Sequence, residues 1–257
     1  MRFIAEDLAS SYPCYGLEIP GFDGATPPLE TVEEMADVLC ETADTIAPEG
    51  PLSIVGFSLG GSIAYEMARR FEQAGRTVRL VVLLDSATPS QMRPRDRNEV
   101  TQVWIRFLLD GSRPHRFMTI VHGLRRALAR MREPRRARTS RIPKLGAEDP
   151  TRNSDLYGGD AMKVLWRTML HASRLYQPEP FHRPIVLLRS ALGHRLAYPH
   201  DELYAEWDML SGGQTHTEVI PGAHMDFLRP PAAQRIAKRL RALLETPRVE
   251  VREGEDA

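Results

Sequence analysis

The chain has 257 residues, 42% of them apolar, and its 34 basic side chains balance 34 acidic ones. That length can bury a full core in one domain. The balanced charge and apolar content exclude global disorder and any whole-molecule attraction to nucleic acid or to an anionic membrane. Two cysteines, Cys14 and Cys40, and the lack of an apolar run long enough for a bilayer point to a cytoplasmic protein with unbridged thiols.

The opening MRFIAEDLAS is charged and helix-like, with no leader core. CYGLEI (14–19) reads as a short strand ended by Pro20-Gly21. TVEEMADVLCETADTI (31–46) sets Val32, Met35, Ala36, Leu39 and Ala43 on one helical stripe, with Thr31 and Glu34 spaced as a capping box. LSIVGF (52–57) reads as a buried strand, SIAYEMARRFEQAG (62–75) as a helix closed by Gly75, and VRLVVLLD (78–85) as a strand apolar throughout after Arg79. Continuous apolar strands alternating with helices predict an α/β fold, with a mostly parallel sheet covered on both faces.

From about 90 to 180 strand signals stop. Two helical stretches, an arginine-rich connection and the amphipathic DAMKVLWRTMLHASRLY (160–176) read as a helical insertion over one end of the sheet. The sheet resumes at PIVLLRS (184–190) and THTEVIPG (215–222), and PAAQRIAKRLRALLE (231–245) closes the domain as a helix. One domain over 1–246 is expected, with 247–257 as a frayed tail.

Gly56-Phe57-Ser58-Leu59-Gly60 is a G-x-S-x-G pentapeptide, a weak signal alone. Its setting between an apolar strand and a helical run strengthens it. A nucleophile elbow needs that context, because the serine takes a strained backbone to expose its Oγ. Gly56 and Gly60 are expected to remove side chains where strand and helix approach. Ser58 is the candidate nucleophile, and the helix start beside it favours developing negative charge.

A serine nucleophile needs a base, and an acid behind the base. Of eight histidines, His115, His122, His171 and His182 fall in the insertion or its exit, and His216 lies within a predicted strand. His224, in IPGAHMDFL, follows the last strand and precedes the last helix, where a base can hang over the C-terminal edge of the sheet. It is the candidate base. For the acid, Asp85 at the end of VRLVVLLD is favoured, Asp201 after the next strand is the competitor, and Asp226 stands too close in sequence to orient His224. The chain order Ser, Asp, His is that of an α/β-hydrolase.

YGLEIPG, TVEEMAD, GFSLGGSIAYEMARR, LVVLLDS and GAHMDFL resemble the thioesterase domains that end polyketide synthases and nonribosomal peptide synthetases, from about residue 2 to 245. The resemblance implies an α/β-hydrolase fold with a helical lid, and supports Asp85 as the acid. It further implies that Ser58 accepts an acyl, polyketide or peptidyl chain from the phosphopantetheine of a carrier domain. Water or an internal nucleophile would then release the chain, by hydrolysis or macrocyclisation. No cofactor of the domain's own is implied, and dimerisation is left open. Trp104, Phe107, Leu108, Met118, Leu165, Trp166, Met169 and Leu170 would be candidates to line the acyl cavity.

Family members also carry, ahead of the helix starting here at Arg2, a strand and a loop of His-Pro-x-Gly type that donates one oxyanion-hole N–H. The Leu59 backbone N–H would supply the other. The sequence in hand starts past that loop, which reads either as a piece of a longer protein or as an impaired relative. A non-catalytic carrier-interaction module and a stand-alone editing thioesterase or esterase are the alternative readings. The run 123–141 holds eight arginines without interleaved aromatics, so it reads as a solvated face rather than a nucleic-acid site, with carrier docking through Arg135, Arg136 and Arg138 as the sharper expectation. Metal-ligand spacing and a G-x-G-x-x-G after a strand are both absent.

Overall fold

Apolar side chains alternate between two cores along the central strands, and this decides the layering. A computed structural model describes residues 1–22, 26–92, 160–191 and 205–245. Among them, parallel strands β1 (Leu52–Phe57), β2 (Val78–Leu84), β3 (Ile185–Ser190) and β4 (Thr215–Ile220) form a sheet in the order β1-β2-β3-β4. Val81, Leu83, Ile185 and Leu187 belong to one buried cluster, and Val82, Leu84, Val186 and Leu188 to the other. Successive residues of a strand face opposite sides, so a run that is apolar at every position must be covered twice.

In chain order the helices are α1 (Arg2–Leu8), α2 (Val32–Ile46), α3 (Gly60–Gln73), α4 (Pro89–Met92), α5 (Asp160–Leu175), α6 (Ala205–Leu210) and α7 (Ala232–Glu245). Val32, Met35, Ala36 and Leu39 of α2, Ile63, Met67 and Phe71 of α3, and Ala172 of α5 cover one face. Ile4 and Leu8 of α1 and Ile236, Ala237 and Leu240 of α7 cover the other. The expected capping box is present: Thr31 Oγ1 accepts the Glu34 N–H at 3.1 Å, and Glu34 Oε2 accepts the Thr31 N–H at 3.2 Å.

Two expectations need correction, and one helix went unread. Residues 14–19 form no strand: Leu17 and Ile19 pack against the first core, but the backbone has no ladder partner among the described residues. Their apolar pattern reported burial, whereas a strand also needs a neighbouring edge to bond. Helix α3 starts at Gly60 rather than 62, because the turn at Ser58 passes directly into it and the Gly61 N–H already bonds the Ser58 carbonyl at 3.0 Å. Helix α6 was not expected, since six residues are too few to display a helical period; it inserts the buried Trp207, whose Nε1–H donates to the Ser86 carbonyl at 2.9 Å.

Most of the insertion, including Trp104, Phe107, Leu108, Met118 and the arginines of 123–141, lies outside the described residues, as do Asp201 and the tail 247–257. Within α5, Leu165 is buried, Met169 packs on the first core, Leu170 is half-buried and Trp166 is exposed. Among the described residues no helix is long and apolar enough to cross a membrane, and Cys14 and Cys40 are free thiols. Burial pushes the Cys40 thiol up to about 12, so it stays protonated and inert.

A buried carboxylate ties α3 to the segment that leaves α5. Glu66, 1% exposed, accepts from Arg69 at 2.8 and 3.0 Å, from Arg70 at 2.9 Å and from the Tyr176 hydroxyl at 2.8 Å. Tyr65 donates to the Glu179 carbonyl at 2.7 Å beside it. Burial pushes the Glu66 carboxyl up, but the bonds from Arg69 and Tyr176 outweigh it, so the group lies below its ordinary value of 4.5. A carboxyl lowered by folding stabilises the protein above its ordinary range, and that contribution is lost as the pH falls through the folded value. Glu66→Gln is therefore expected to cost about 1–3 kcal/mol at neutral pH. Urea melts at a series of pH values should show the gap to the parent narrowing on acidification below the ordinary carboxylate range. A gap independent of pH would remove the charge from this account.

Candidate active site

Ser58 stands where β1 hands the chain to α3, with φ of 56°, in the left-handed region that side chains rarely adopt. Its N–H is held by the Leu84 carbonyl at 2.9 Å. The close approach that this turn requires is visible at Gly56. A Cβ there would lie 2.3 Å from the Gly60 carbonyl oxygen and 2.7 Å from both Ala64 Cβ and Gly61 Cα. At Gly60, by contrast, a Cβ would meet nothing within 4 Å, so the expected crowding falls instead on Gly61, where it would lie 2.1 Å from Ser86 Oγ.

Asp85 follows β2 with φ of 48° and is 0% exposed. Its N–H donates to the Leu188 carbonyl at 2.8 Å. Its carboxylate accepts the Ser190 N–H on Oδ1 at 2.8 Å and the Ser190 hydroxyl on Oδ2 at 2.7 Å. His224 opens a 3-10 turn, His224–Leu228, separated from the end of β4 by three residues. That turn is fixed by Asp226, whose Oδ2 accepts the Ala223 N–H at 2.7 Å, so Asp226 serves the loop and not the imidazole.

These three elements converge at one end of the sheet. His224 Nδ1 lies 2.7 Å from Asp85 Oδ2, and Nε2 lies 3.0 Å from Ser58 Oγ. An ionised carboxylate only accepts, so Nδ1 carries the proton and Nε2 is left as an acceptor facing the serine hydroxyl. Phe57 stacks on the imidazole with ring centres 4.6 Å apart and planes 20° from parallel. Among the described residues the Leu59 N–H makes none of the turn's backbone hydrogen bonds, while the Ser58 and Gly61 N–H groups on either side do. It therefore stands beside Ser58 at the start of α3, where a helix presents partial positive charge. Among the described residues no three His, Cys, Asp or Glu side chains gather as a metal site.

The other described histidines lie elsewhere: His171 and His182 are exposed, and His216 bonds Glu218 at 2.8 Å on β4. His115, His122, His194 and His200 fall outside the described residues. Sequence reading missed Ser190, Phe57 and Gly61. Ser190 had a signal, since it ends the apolar run of β3 at the same sheet edge as Asp85; the Phe57 stack had none, because it depends on how the 224 loop folds back.

Residues 2–244 match the family model described as Thioesterase domain. The chain belongs to that family. Among curated relatives of this thioesterase domain, polyketide synthase PksR of Bacillus subtilis is 36% identical over 94 residues, 37% of this chain and 4% of that protein. A non-reducing polyketide synthase of Pseudevernia furfuracea is 24% identical over 250 residues, 90% of this chain and 11% of that protein. The thioesterase domain thus spans only a small part of these relatives. The NocB thioesterase domain, solved as a covalent complex with a fluorophosphonate nocardicin G analog, superposes with TM-score 0.57 at 21% identity, covering 96% of this chain and 90% of that one. RedJ, a thioesterase from the prodiginine biosynthetic pathway of Streptomyces coelicolor, gives TM-score 0.59 at 19% identity, covering 93% and 78%. At such identities the likeness establishes the fold, an α/β-hydrolase fold with helices on both faces of a parallel sheet.

Proposed function

We propose that this thioesterase domain off-loads an acyl, polyketide or peptidyl chain from a phosphopantetheine carrier through an acyl-enzyme on Ser58. The observation that carries this reading is the continuous hydrogen-bonded line from Ser58 Oγ through His224 to the buried Asp85. His224 Nε2 takes the Ser58 proton as Oγ attacks the thioester carbonyl. The carbonyl π electrons move onto its oxygen, which the Leu59 N–H is placed to receive. When the C–S bond breaks, the imidazolium returns the proton to the departing phosphopantetheine thiol. Water or a hydroxyl or amine of the chain, deprotonated by the same imidazole, then attacks the ester, and the imidazolium returns that proton to Ser58 Oγ as the C–Oγ bond breaks. Asp85 holds the Nδ1–H and stabilises the imidazolium throughout. Phosphopantetheine is a handle on the substrate here and not a resident cofactor. The partners are an acyl or peptidyl carrier domain and the chain that it presents.

The test is intact-mass analysis after treatment with a fluorophosphonate, a probe suggested by the NocB complex. One adduct is expected on the parent and none on Ser58→Ala, because only an activated serine attacks phosphorus at neutral pH. A folded parent that takes up no adduct would leave the Ser58 turn as architecture and favour a non-catalytic, carrier-binding role. Given labelling, acyl-carrier substrates would separate off-loading from action on simple soluble esters.

A further inference from the structure

Ser58, His224 and Asp85 leave one buried polar neighbour without a role. Ser190 is the last residue of β3, is 1% exposed, and meets Asp85 from the adjacent strand. Its backbone N–H takes Oδ1 at 2.8 Å and its hydroxyl takes Oδ2 at 2.7 Å, so one residue grips both carboxylate oxygens. Oδ2 is also the oxygen that His224 Nδ1 approaches at 2.7 Å.

The neighbouring buried serine provides a contrast. Ser86 points its hydroxyl at the carbonyls of Gly56 and Leu84, at 3.4 and 3.3 Å, which is ordinary satisfaction of a buried hydroxyl. Ser190 instead spends its one O–H on an ion. A hydrogen bond to an ionised acceptor is shorter and roughly twice as strong as a neutral one. Asp85 also needs such support, because a non-glycine residue at φ of 48° persists only where its surroundings over-determine it.

We propose that Ser190 is a positioning residue, whose N–H and O–H clamp the Asp85 carboxylate so that Oδ2 faces His224 Nδ1, and whose O–H draws off part of the negative charge that the imidazole meets. The inference rests on the reading of Ser58, His224 and Asp85 as nucleophile, base and acid. The groups that meet His224 among the described residues include Asp85 from the end of β2, Ser58 Oγ, the Phe57 ring from β1 and, in its own turn, Asp226, whose carboxylate is engaged by the Ala223 N–H. Deleting the Ser190 hydroxyl removes one O–H donor from Oδ2, the oxygen that His224 Nδ1 meets. The imidazolium then has a more negative partner, so the ring holds its proton to higher pH.

The experiment is a pH titration of the His224 side-chain nitrogens by NMR in the parent, Ser190→Ala and Ser190→Thr, alongside the pH dependence of fluorophosphonate labelling. The alanine variant is expected to move the protonation midpoint of His224 upward by about 0.5–1 pH unit, the scale on which a hydrogen bond to a charged group acts. The acidic limb of labelling should follow, so that labelling below the midpoint slows by about threefold to tenfold relative to the parent. The threonine variant keeps the O–H and should titrate like the parent. A folded alanine variant with an unmoved midpoint overturns the proposal, and so does a threonine variant that shifts as alanine does. A moved midpoint in a protein whose parent takes no label would sustain the clamp while refuting the off-loading reading, so the two failures are distinguishable.

Discussion

Asp85→Asn is expected to leave the fold intact and to slow Ser58 labelling by about 10⁴-fold, the loss that follows when a base is held in the wrong tautomer. The geometry explains why the two effects separate. The asparagine oxygen can still accept the Ser190 N–H at the Oδ1 position. Its NH₂ then replaces Oδ2, where it can donate to His224 Nδ1 and to the lone pairs of Ser190 Oγ. The Ser190 O–H loses its carboxylate acceptor in this arrangement, which costs about 1–3 kcal/mol and leaves the fold standing. With Nδ1 accepting, however, the ring proton must sit on Nε2 and point at Ser58 Oγ, where it cannot receive the serine proton. Labelling rate and melting temperature, measured on the same preparation, check both halves. A rate within tenfold of the parent would remove Asp85 from its proposed role and return attention to Asp201.

Gly56→Ala is expected to be among the most damaging glycine-to-alanine changes at the described residues. The added Cβ would meet backbone and helix atoms at 2.3 and 2.7 Å, which cannot rotate away, so β1 and α3 must move apart. Overpacking of this kind costs about 1–3 kcal/mol where side chains can yield and more where they cannot. At about 2–4 °C per kcal/mol for a domain of this size, a fall in melting temperature on the order of 10 °C follows, or an insoluble product. Gly60→Ala is the control: its Cβ meets open space, and alanine is the better helix former by up to about 1 kcal/mol. It should melt at or above the parent. Gly61→Ala falls between, because the atom in its way is the Ser86 side chain, buried but not backbone. Equal losses at 56 and 60 would refute this reading of the turn.

What could be read from the chain and what could not divide along a physical line. The capped helix over 31–46 and the strands at 52–57, 78–84 and 185–190 were legible because periodicity and capping are local. The meeting of Ser58, Asp85 and His224 was legible because each lies within a few residues of the C-terminal end of a strand of one parallel sheet, and such positions collect at one edge. Three features depended on contacts that local pattern does not encode. Residues 14–19 bury Leu17 and Ile19 like a strand but have no edge to bond. Helix α6 is defined less by its own turns than by where Trp207 lodges. The crowding at Gly61 comes from Ser86, just past the end of the next strand, so the pentapeptide pointed to Gly60 in its place.

The two cores on opposite faces of the sheet have a consequence for assembly. Ser58 is aimed by α3, which belongs to the layer packed on Val81 and Leu83, while His224 is followed at once by Phe227 and by α7, which belong to the layer packed on Val82 and Leu84. Asp85 comes from the sheet between them. On the proposed reading, a half-built chain with either layer undocked would hold no activated serine. The site would then work as a coincidence detector for its own folding, silent during synthesis and lost at the first loosening of either face.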